Sequence, residues 1–211
     1  MGHIHPKDDS VSTLLARFPL VSDQVNKDQL SVILTELQHM LDAGVEGSVV
    51  EFGCYIGTTS LFLRRVLDGA GQDRELHVYD SFQGLPPKST QDVSATGEAF
   101  TAGELAVSKK AFLHEFQKAH LKPPVVHKGW FGELTEASVP DKIAFAFLDG
   151  DFYDSIRDSL RLVLPRMQKG GAIIFDDYAR EALPGVARAA HEQISPNQIR
   201  PSHNLGIYKV T

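Results

Sequence analysis

The segment from Val49 to Ser60 most constrains the fold, because it combines a buried strand, a glycine turn and the start of a helix. Its apolar first residues are typical of a strand, and the turn that follows contains Gly53 and Gly57. Glycine lets a backbone pass close to a ligand, and the first turn of a helix offers free N–H groups to a carboxylate or phosphate. Because three later strands also end in acidic or aromatic residues, we expect these ends to outline one ligand cleft.

The composition is that of a chain with a sizeable core. It has 211 residues, 42% of them hydrophobic, and we expect a single domain over residues 1–211. The net charge of −6 argues against nucleic acid as a partner. The longest apolar run, Ile143–Leu148, is too short to span a membrane, and Met1–Ser10 lacks the apolar core of a signal peptide. Cys54 is the sole cysteine, which excludes an internal disulfide, so a cytoplasmic location is expected by default.

Strand and helix patterns alternate along most of the chain. Helices are predicted over Asp28–Ala43, Thr58–Leu67 and Lys109–Ala119, around Ile156–Leu164 and from Pro184. Strands are predicted from about Ser48, over Glu75–Asp80, Val125–His127, Ile143–Leu148 and Ala172–Phe175. Two last runs, Gln198–Ser202 and Leu205–Tyr208, flank His203-Asn204 and predict a hairpin. This order predicts an α/β fold, with a doubly wound (Rossmann-like), mostly parallel sheet, helices on both faces and a C-terminal antiparallel hairpin.

Two segments lack helical or strand periodicity. Residues 1–27 are expected to form a lid-like or flexible N-terminal segment. Residues 86–104 are rich in Ser, Thr, Gly and Pro and predict a mobile loop that covers the cleft. Disorder without a function is the alternative for this second segment.

Side chains at the ends of the first three strands are candidates for binding an adenosine-containing ligand. Asp80 ends the second strand, where such folds hold ribose hydroxyls; a solvated strand-end charge is the alternative. Glu51 is expected to orient the glycine turn or the amino group of the ligand. The hydroxyls of residues 58–60 lie where a ligand carboxylate would meet the helix, or else they cap that helix. Trp130 follows the third strand and either flanks an adenine ring or belongs to the core.

Four carboxylates follow two buried strands. Asp149 and Asp151 come after the fourth strand, and Asp176 and Asp177 come after the fifth. Because these strands are expected to be neighbours, the carboxylates converge and raise each other's pKa unless a cation lies among them. Hard oxygen ligands favour Mg²⁺ or Ca²⁺ over zinc. The alternative is that Asp177 caps a loop and Asp151 caps the following helix without a metal. A guanidinium group that filled the gap between the strand ends would argue against the metal.

Taken together, these residues resemble the class I S-adenosylmethionine-dependent methyltransferases, and specifically the macrocin O-methyltransferase (TylF-type) family. The runs that carry the resemblance are VEFGCYIGTT at 50–59, YDSFQGLP at 79–86, GWF at 129–131, LDGDFYDS at 148–155 and DDY at 176–178. The resemblance implies S-adenosyl-L-methionine and Mg²⁺ as cofactors. It also implies methyl transfer to a small-molecule hydroxyl, of a sugar, polyol or phenol, in secondary metabolite biosynthesis.

The same resemblance implies roles for individual residues. Asp149, Asp176 and Asp177 match the metal ligands of the family, and Asp151 matches its general base. Asp149 is also counted as catalytic, because the metal that it binds holds the acceptor hydroxyl and lowers the hydroxyl pKa. The residues assigned to cofactor binding are Glu51, Gly53, Cys54, Tyr55, Ile56, Gly57, Thr58, Thr59, Asp80, Ser81, Phe82, Gly129, Trp130 and Phe131.

Two other functions are alternatives. A nicotinamide-dependent oxidoreductase is disfavoured, because the glycine turn lacks the G-x-G-x-x-G spacing. A non-catalytic module that senses an S-adenosyl ligand would not need four costly carboxylates. The expected partner is a small-molecule hydroxyl acceptor, with a homodimer or higher homo-oligomer left open. The candidates for contact with the acceptor are His127, Tyr153, Tyr178, Arg180 and His203.

Overall fold

The computed structural model describes residues 10–71, 73–96 and 100–211, and within these ranges seven strands form one sheet. The strands are β1 (Ser48–Phe52), β2 (Leu76–Asp80), β3 (Val125–Lys128), β4 (Ile143–Leu148), β5 (Met167–Phe175), β6 (Ile199–Ser202) and β7 (Leu205–Lys209). Their order across the sheet is β3-β2-β1-β4-β5-β7-β6. Strands β1 to β5 are parallel, and β7 is antiparallel to β5 and β6. This confirms the predicted doubly wound sheet.

Helices cover both faces of the sheet, as predicted. The α-helices are α1 (Val11–Arg17), α2 (Lys27–Asp42), α3 (Thr58–Gly69), α4 (Lys109–Lys118), α5 (Tyr153–Val163) and α6 (Pro184–His191). Apolar side chains of α1 to α4 pack in one buried cluster on one face, and those of α5 and α6 pack in a second cluster on the other. No helix in the described ranges is both long and apolar enough to cross a bilayer.

Strand β4 is the centre of the sheet, because it pairs with β1 on one side and β5 on the other. All six of its residues are buried. Phe145 and Phe147 point into the first cluster, whereas Ala146 and Leu148 point into the second. A strand buried on both faces has an uninterrupted apolar sequence, which explains the run found at this position. The chain reverses its direction of winding between β1 and β4, and ligands bind at the carboxyl ends of strands flanking such a point.

The C-terminal hairpin is also confirmed. His203 and Asn204 form the two-residue connection between β6 and β7, with φ angles of 49° and 67°. Positive φ at both central residues is the signature of the tight turn whose twist matches that of the strands. The hairpin therefore places β7 against β5, with Phe175 opposite Gly206.

The N-terminal segment is more ordered than the sequence suggests. Residues 11–17 form α1, and the Ser10 hydroxyl caps it by accepting the Thr13 N–H at 3.3 Å. Leu14 and Leu15 are buried in the same cluster as α2. The sequence did not indicate α1, which is too short for its periodicity to be visible, and the lid-like or flexible character of residues 1–27 stays a prediction. Residues 1–9 of that segment lie outside the described part of the chain.

The segment 86–104 contains a short 3₁₀-helix, Thr90–Asp92, that the sequence did not indicate. The buried Asp92 carboxylate accepts the N–H of Tyr153, the first residue of α5, at 2.7 Å. Two backbone hydrogen bonds close the base of the segment, from Leu85 N–H to the Glu104 carbonyl and from Gly103 N–H to the Leu85 carbonyl. The described part of this segment thus packs on the protein. Residues 97–99 lie outside the description, and the mobility of the loop stays a prediction.

Candidate active site

A cleft with about 770 Å³ of empty space lies at the carboxyl ends of β1, β2, β4 and β5. Ten of the residues that the sequence nominated line it: Gly53, Tyr55, Asp80, Ser81, Trp130, Phe131, Asp149, Asp151, Asp176 and Asp177. The turn after β1 and the acidic ends of β4 and β5 therefore face the same space. This is the arrangement that the converging strand ends predicted.

The turn after β1 is held in place by contacts within the protein. Gly53 has a φ of +86°, and a Cβ atom there would lie 1.8 Å from the Asp149 carbonyl oxygen. Gly57 has a φ of +99°, and a Cβ atom there would lie 2.9 Å from the ring of Phe112. These contacts within the protein already require glycine at both positions, and Gly53 also lines the cleft. The close approach of this backbone to a ligand stays a prediction.

Asp80 joins the ends of β1 and β2. One carboxylate oxygen accepts the N–H of Cys54 at 2.9 Å and that of Tyr55 at 3.3 Å, and the other accepts the N–H of Phe82 at 2.7 Å. Three backbone donors hold this carboxylate at the cleft wall. The alternative of a solvated strand-end charge is wrong, since Asp80 is half-buried and fully engaged. Its contact with ribose hydroxyls stays a prediction.

Glu51 lies beneath the cleft and not on it. Its buried carboxylate accepts the hydroxyl of Ser60 in the first turn of α3. Burial raises the pKa of Glu51 to about 8, with a further contribution from the charge of Asp80. A protonated Glu51 that ties β1 to α3 agrees with the interpretation that this residue orients the turn. It does not agree with direct contact to a ligand.

The hydroxyls at the start of α3 have partners within the protein. The Thr58 hydroxyl is 2.8 Å from that of Ser22, and the N-cap of the helix is Gly57, which offers no side chain. Thr58 therefore does not cap α3 through its side chain, and the ligand contact of residues 58–60 stays a prediction. Within the described residues, eight members of the predicted cofactor set do not line the cleft: Glu51, Cys54, Ile56, Gly57, Thr58, Thr59, Phe82 and Gly129.

Aromatic side chains form one wall of the cleft. Trp130 is half-buried and lines the cleft, so the alternative that it belongs to the core is wrong. Phe131 also lines the cleft, with its ring edge-on to Phe52 at a centroid distance of 5.2 Å. This pair anchors the wall on β1, and Trp130 lies beside it in the lining of the cleft. Aromatic surfaces of this kind stack on flat ligands.

The carboxylate cluster is built by adjacent strands. Leu148 pairs with Phe175, the Asp149 N–H donates to the Phe52 carbonyl at 2.8 Å, and the Asp176 N–H donates to the Leu148 carbonyl at 3.0 Å. Strands β1, β4 and β5 thus end side by side, as predicted. Two other cluster members sit in the left-handed region, Asp151 with φ 57° and Asp177 with φ 51°. Strained backbone of this kind persists where the surroundings enforce it, and it concentrates at functional sites.

Burial raises the pKa of all four carboxyl groups. The pKa of Asp151 rises to about 8 and that of Asp176 to about 7, through burial first and through the charge of Asp177 next. The pKa of Asp149 is raised well above its ordinary value by burial and by the neighbouring carboxylates. Burial also raises the pKa of Asp177, against an opposing effect of Arg180. The cluster therefore favours bound protons or a bound cation.

Arg180 is a positively charged side chain that contacts the carboxylate cluster, and its contact is with Asp177. Arg180 donates to the two oxygens of Asp177 at 3.3 and 3.2 Å, while Gln29 donates its neutral amide to Asp176 at 3.2 Å. Among the described residues, no group of three or more His, Cys, Asp or Glu side chains stands ready to hold a metal ion. The predicted ligand set is therefore brought together but not assembled around a common point.

Several cleft residues were missed by the sequence interpretation. Apolar side chains from the connection after β2 complete the wall: Leu85, Pro86, Phe100 and Leu105. Gln24 and Ser155 also line the cleft. Leu85 and Pro86 end the run at 79–86 that carries the family resemblance, and the composition of 86–104 pointed to a cover over the cleft, but neither signal assigned these residues to the site. Of the candidates for contact with the acceptor, Arg180 lines the cleft. Tyr153 instead donates its hydroxyl to Glu192, and the Tyr178 hydroxyl forms a hydrogen bond with His191. The ring of His127 stacks on that of Tyr79.

The sheet order, with its C-terminal antiparallel pair, and the position of the cleft are those of class I methyltransferases. Residues 18–204 match the family described as macrocin-O-methyltransferase (TylF), and the chain belongs to this family. The resemblance found in the sequence is confirmed.

Named relatives and a solved structure agree with this assignment. The chain is 34% identical over 152 residues to the 8-demethyl-8-(2,3-dimethoxy-alpha-L-rhamnosyl)-tetracenomycin-C 4'-O-methyltransferase of Streptomyces olivaceus, covering 69% of this chain and 58% of the relative. It is 31% identical over 171 residues to the mycinamicin III 3''-O-methyltransferase of Micromonospora griseorubida, covering 75% and 66%. The structure of the O-methyltransferase NovP superposes with a TM-score of 0.74 at 27% identity, covering 89% of this chain and 81% of that one. The chain thus spans about three-fifths of the length of these curated relatives.

Proposed function

We propose that this protein transfers a methyl group from S-adenosyl-L-methionine to a sugar hydroxyl of a glycosylated secondary metabolite. The observation that carries the proposal is that one cleft contains both the turn held by Asp80 and four converging carboxyl groups, two of them buried and two half-buried. Family membership supports the same reaction, and both curated relatives are named for O-methylation of metabolites. The substrate class is a proposal for this chain, because it spans only part of those relatives.

The donor would bind along the ends of β1 and β2. Bound there, its sulfonium group supplies an electrophilic methyl. Asp80 stands at the strand end where ribose hydroxyls are held in such sheets, and Trp130 offers a flat apolar surface to an adenine ring. Among the described residues, several carboxylates line the cleft but only one guanidinium, that of Arg180. This excess of negative charge suits the positive charge of the donor.

Asp151 is the general base of the proposed reaction. It lines the cleft beside Asp149 and Asp177, and its pKa of about 8 lies near neutrality, where a general base is most effective. A positive charge nearby lowers that pKa, because it stabilises the carboxylate. The acceptor hydroxyl would give its proton to the Asp151 carboxylate as its oxygen takes the methyl group, and the sulfonium would leave as the neutral thioether of S-adenosylhomocysteine. Fixing the two reactants in this geometry supplies up to roughly 10 kcal/mol of the barrier reduction.

We also propose that the reaction uses a bound divalent cation. The residues that would hold it are Asp149, Asp176 and Asp177, and their charge fits, because three carboxyl groups with raised pKa values share one guanidinium contact. Their present arrangement is not a finished ligand set, so Asp149 and Asp177 would have to turn toward Asp176. Hard oxygen ligands select Mg²⁺, and a bound Mg²⁺ lowers the pKa of a hydroxyl that it contacts.

The shape of the cleft supports an acceptor with one polar and one apolar side. Leu85, Phe100 and Leu105 lie on the wall that completes the cleft beside the carboxylates. A deoxysugar on an apolar aglycone has this character: its hydroxyls suit the carboxylates and its ring and aglycone suit the wall. A simple polyol would leave the apolar wall without contact.

The test is methyl transfer by the purified protein with labelled S-adenosyl-L-methionine, Mg²⁺ and a panel of rhamnosylated polyketides, catechols and simple polyols. We expect a methylated glycoside, and loss of the product when EDTA is added. Asp149→Asn should abolish turnover while S-adenosylhomocysteine still binds, as measured by calorimetry. Full activity in EDTA would refute the cation, and methylation of catechols alone would refute the sugar. Binding of S-adenosylhomocysteine with no turnover on any acceptor would favour a non-catalytic sensor.

A further inference from the structure

Gln29 in the first turn of α2 contacts the carboxylate cluster across 147 positions of sequence. Its side-chain Nε2 donates to Asp176 Oδ1 at 3.2 Å, and the two residues are 7% and 6% exposed. A buried hydrogen bond between a neutral amide and a carboxylate holds that carboxylate in one orientation without cancelling its charge. The contact of Arg180 with Asp177 is different, because the positive guanidinium group neutralises the charge of the carboxylate that it holds.

The orientation of the Gln29 amide is fixed by the cap of α2. Gln29 Oε1 accepts the Asn26 N–H at 3.1 Å, while Asn26 Oδ1 accepts the Gln29 N–H at 3.0 Å. This reciprocal pair is a capping box. Since the amide oxygen is engaged by a backbone donor, the amide nitrogen is the atom that faces Asp176. An inverted amide would lose the cap and place an oxygen against a carboxylate.

The segment that leads to Gln29 also contacts the donor side of the cleft. The Ser22 hydroxyl is 2.8 Å from the Thr58 hydroxyl at the start of α3, and Gln24 lines the cleft itself. Residues 22–29 therefore run from the turn after β1 to the end of β5. One short stretch of chain touches both halves of the proposed reaction site.

We infer that Gln29 is a positioning residue that orients Asp176 for a divalent cation. The inference rests on the proposed function, in which Asp176 is one of three cation ligands. The carboxylate is kept in place by a donor that leaves the negative charge of the cluster intact, so the cluster retains its attraction for a cation. Partners that orient metal ligands in this way are worth about 10- to 100-fold in metal affinity or activity.

The experiment compares Mn²⁺ binding to the wild-type protein, Gln29→Met, Asn26→Ala and Gln38→Met by titration calorimetry. Gln29→Met removes the donor at similar volume, and we expect Mn²⁺ affinity to fall by about tenfold or more. Gln38→Met is the matched control, because half-buried Gln38 lies on the same helix, outside the cleft, and donates to Asp42 at 2.8 Å. Asn26→Ala weakens the cap but leaves the Gln29 side chain in place, so it should lower the melting temperature and leave Mn²⁺ affinity unchanged.

The outcomes separate this inference from the proposed function. If the wild-type protein binds no Mn²⁺, the cation itself is refuted. If it binds Mn²⁺ and Gln29→Met binds equally well, or if Asn26→Ala weakens binding as much, only the role of Gln29 is refuted. Should Gln29→Met fail to fold, Gln29→Ala removes the same donor without adding bulk or charge. Its melting temperature should then rise less on Mn²⁺ addition than that of the wild type, and an equal rise would contradict the inference.

Discussion

Replacing Asp151 by Asn tests whether the carboxylate cluster makes the cation-free protein sensitive to pH. The pKa of Asp151 in the folded protein is about 8, against an ordinary value of 3.8. Below the ordinary pKa, the folded and unfolded chains both carry the proton. Between the two values the unfolded chain binds fewer protons than the folded one, so stability falls as the pH rises. Asparagine tolerates the left-handed φ of 57° at this position and cannot ionise.

The size of the effect follows from the separation of the two pKa values. A gap of about four units at about 1.4 kcal/mol each gives roughly 5 to 6 kcal/mol over the whole window. From about pH 5 to pH 8 the wild-type protein should therefore lose on the order of 4 kcal/mol more stability than Asp151→Asn. Asp149, Asp176 and Asp177 interact with Asp151, so part of this difference belongs to the cluster as a whole.

The measurement is urea unfolding of both proteins in EDTA at several pH values between these limits. Asp141→Asn serves as the control, because Asp141 is exposed and lies outside the cleft. Adding Mg²⁺ should stabilise the wild-type protein more at the upper end of the range, where the carboxylates ionise most readily. If the free energies of unfolding of wild type and Asp151→Asn ran parallel with pH, the proposed burial of a protonated Asp151 would be refuted.

Two further substitutions probe the turn after β1. Gly53→Ala should destabilise the protein by about 2 kcal/mol or more and impair methyl transfer, because it puts a Cβ atom against the Asp149 carbonyl at a left-handed φ; unchanged urea unfolding would contradict this contact. Ser60→Ala should cost about 1 to 3 kcal/mol, since it leaves the buried Glu51 carboxyl without its hydroxyl donor. That loss should grow as the pH rises past about 8, where Glu51 ionises, and a loss independent of pH would contradict the assignment.

Most of the sheet was predictable because its central strands have simple sequence patterns. Strand β4 is apolar on both faces and its observed bounds, Ile143–Leu148, are those predicted. The start of β5 was placed too late, because Gly170 and Gly171 resemble a turn but lie within the strand. Gly170 has a φ of +82°, and the pairing of β4 with β5 shifts register near this point. The two glycines thus correctly indicated an irregularity in the backbone. That β5 continues through them is shown only by its pairing with β4.

The site was predictable to the extent that topology alone brings residues together. Parallel neighbours bring Asp149 and Asp176 to one edge, whatever the details of packing. The contacts of Gln29 and Ser22 were not predictable, because they depend on how α2 and the segment before it pack over the sheet. The inward direction of Glu51 was also hidden, since a glutamate at a strand end looks the same in sequence whether it faces a ligand or a helix.

The apolar wall of the cleft belongs to a different part of the chain from the carboxylates. Leu85, Phe100 and Leu105 lie in a connection between β2 and α4, outside the sheet, and backbone hydrogen bonds near Leu85 and Glu104 close that connection on itself. Phe100 couples this connection to the strand ends, because the guanidinium of Arg180, which pairs with Asp177, lies over its ring. Substitutions at Leu85 and Leu105 are therefore the more direct way to alter the fit of the proposed acceptor without disturbing that ion pair.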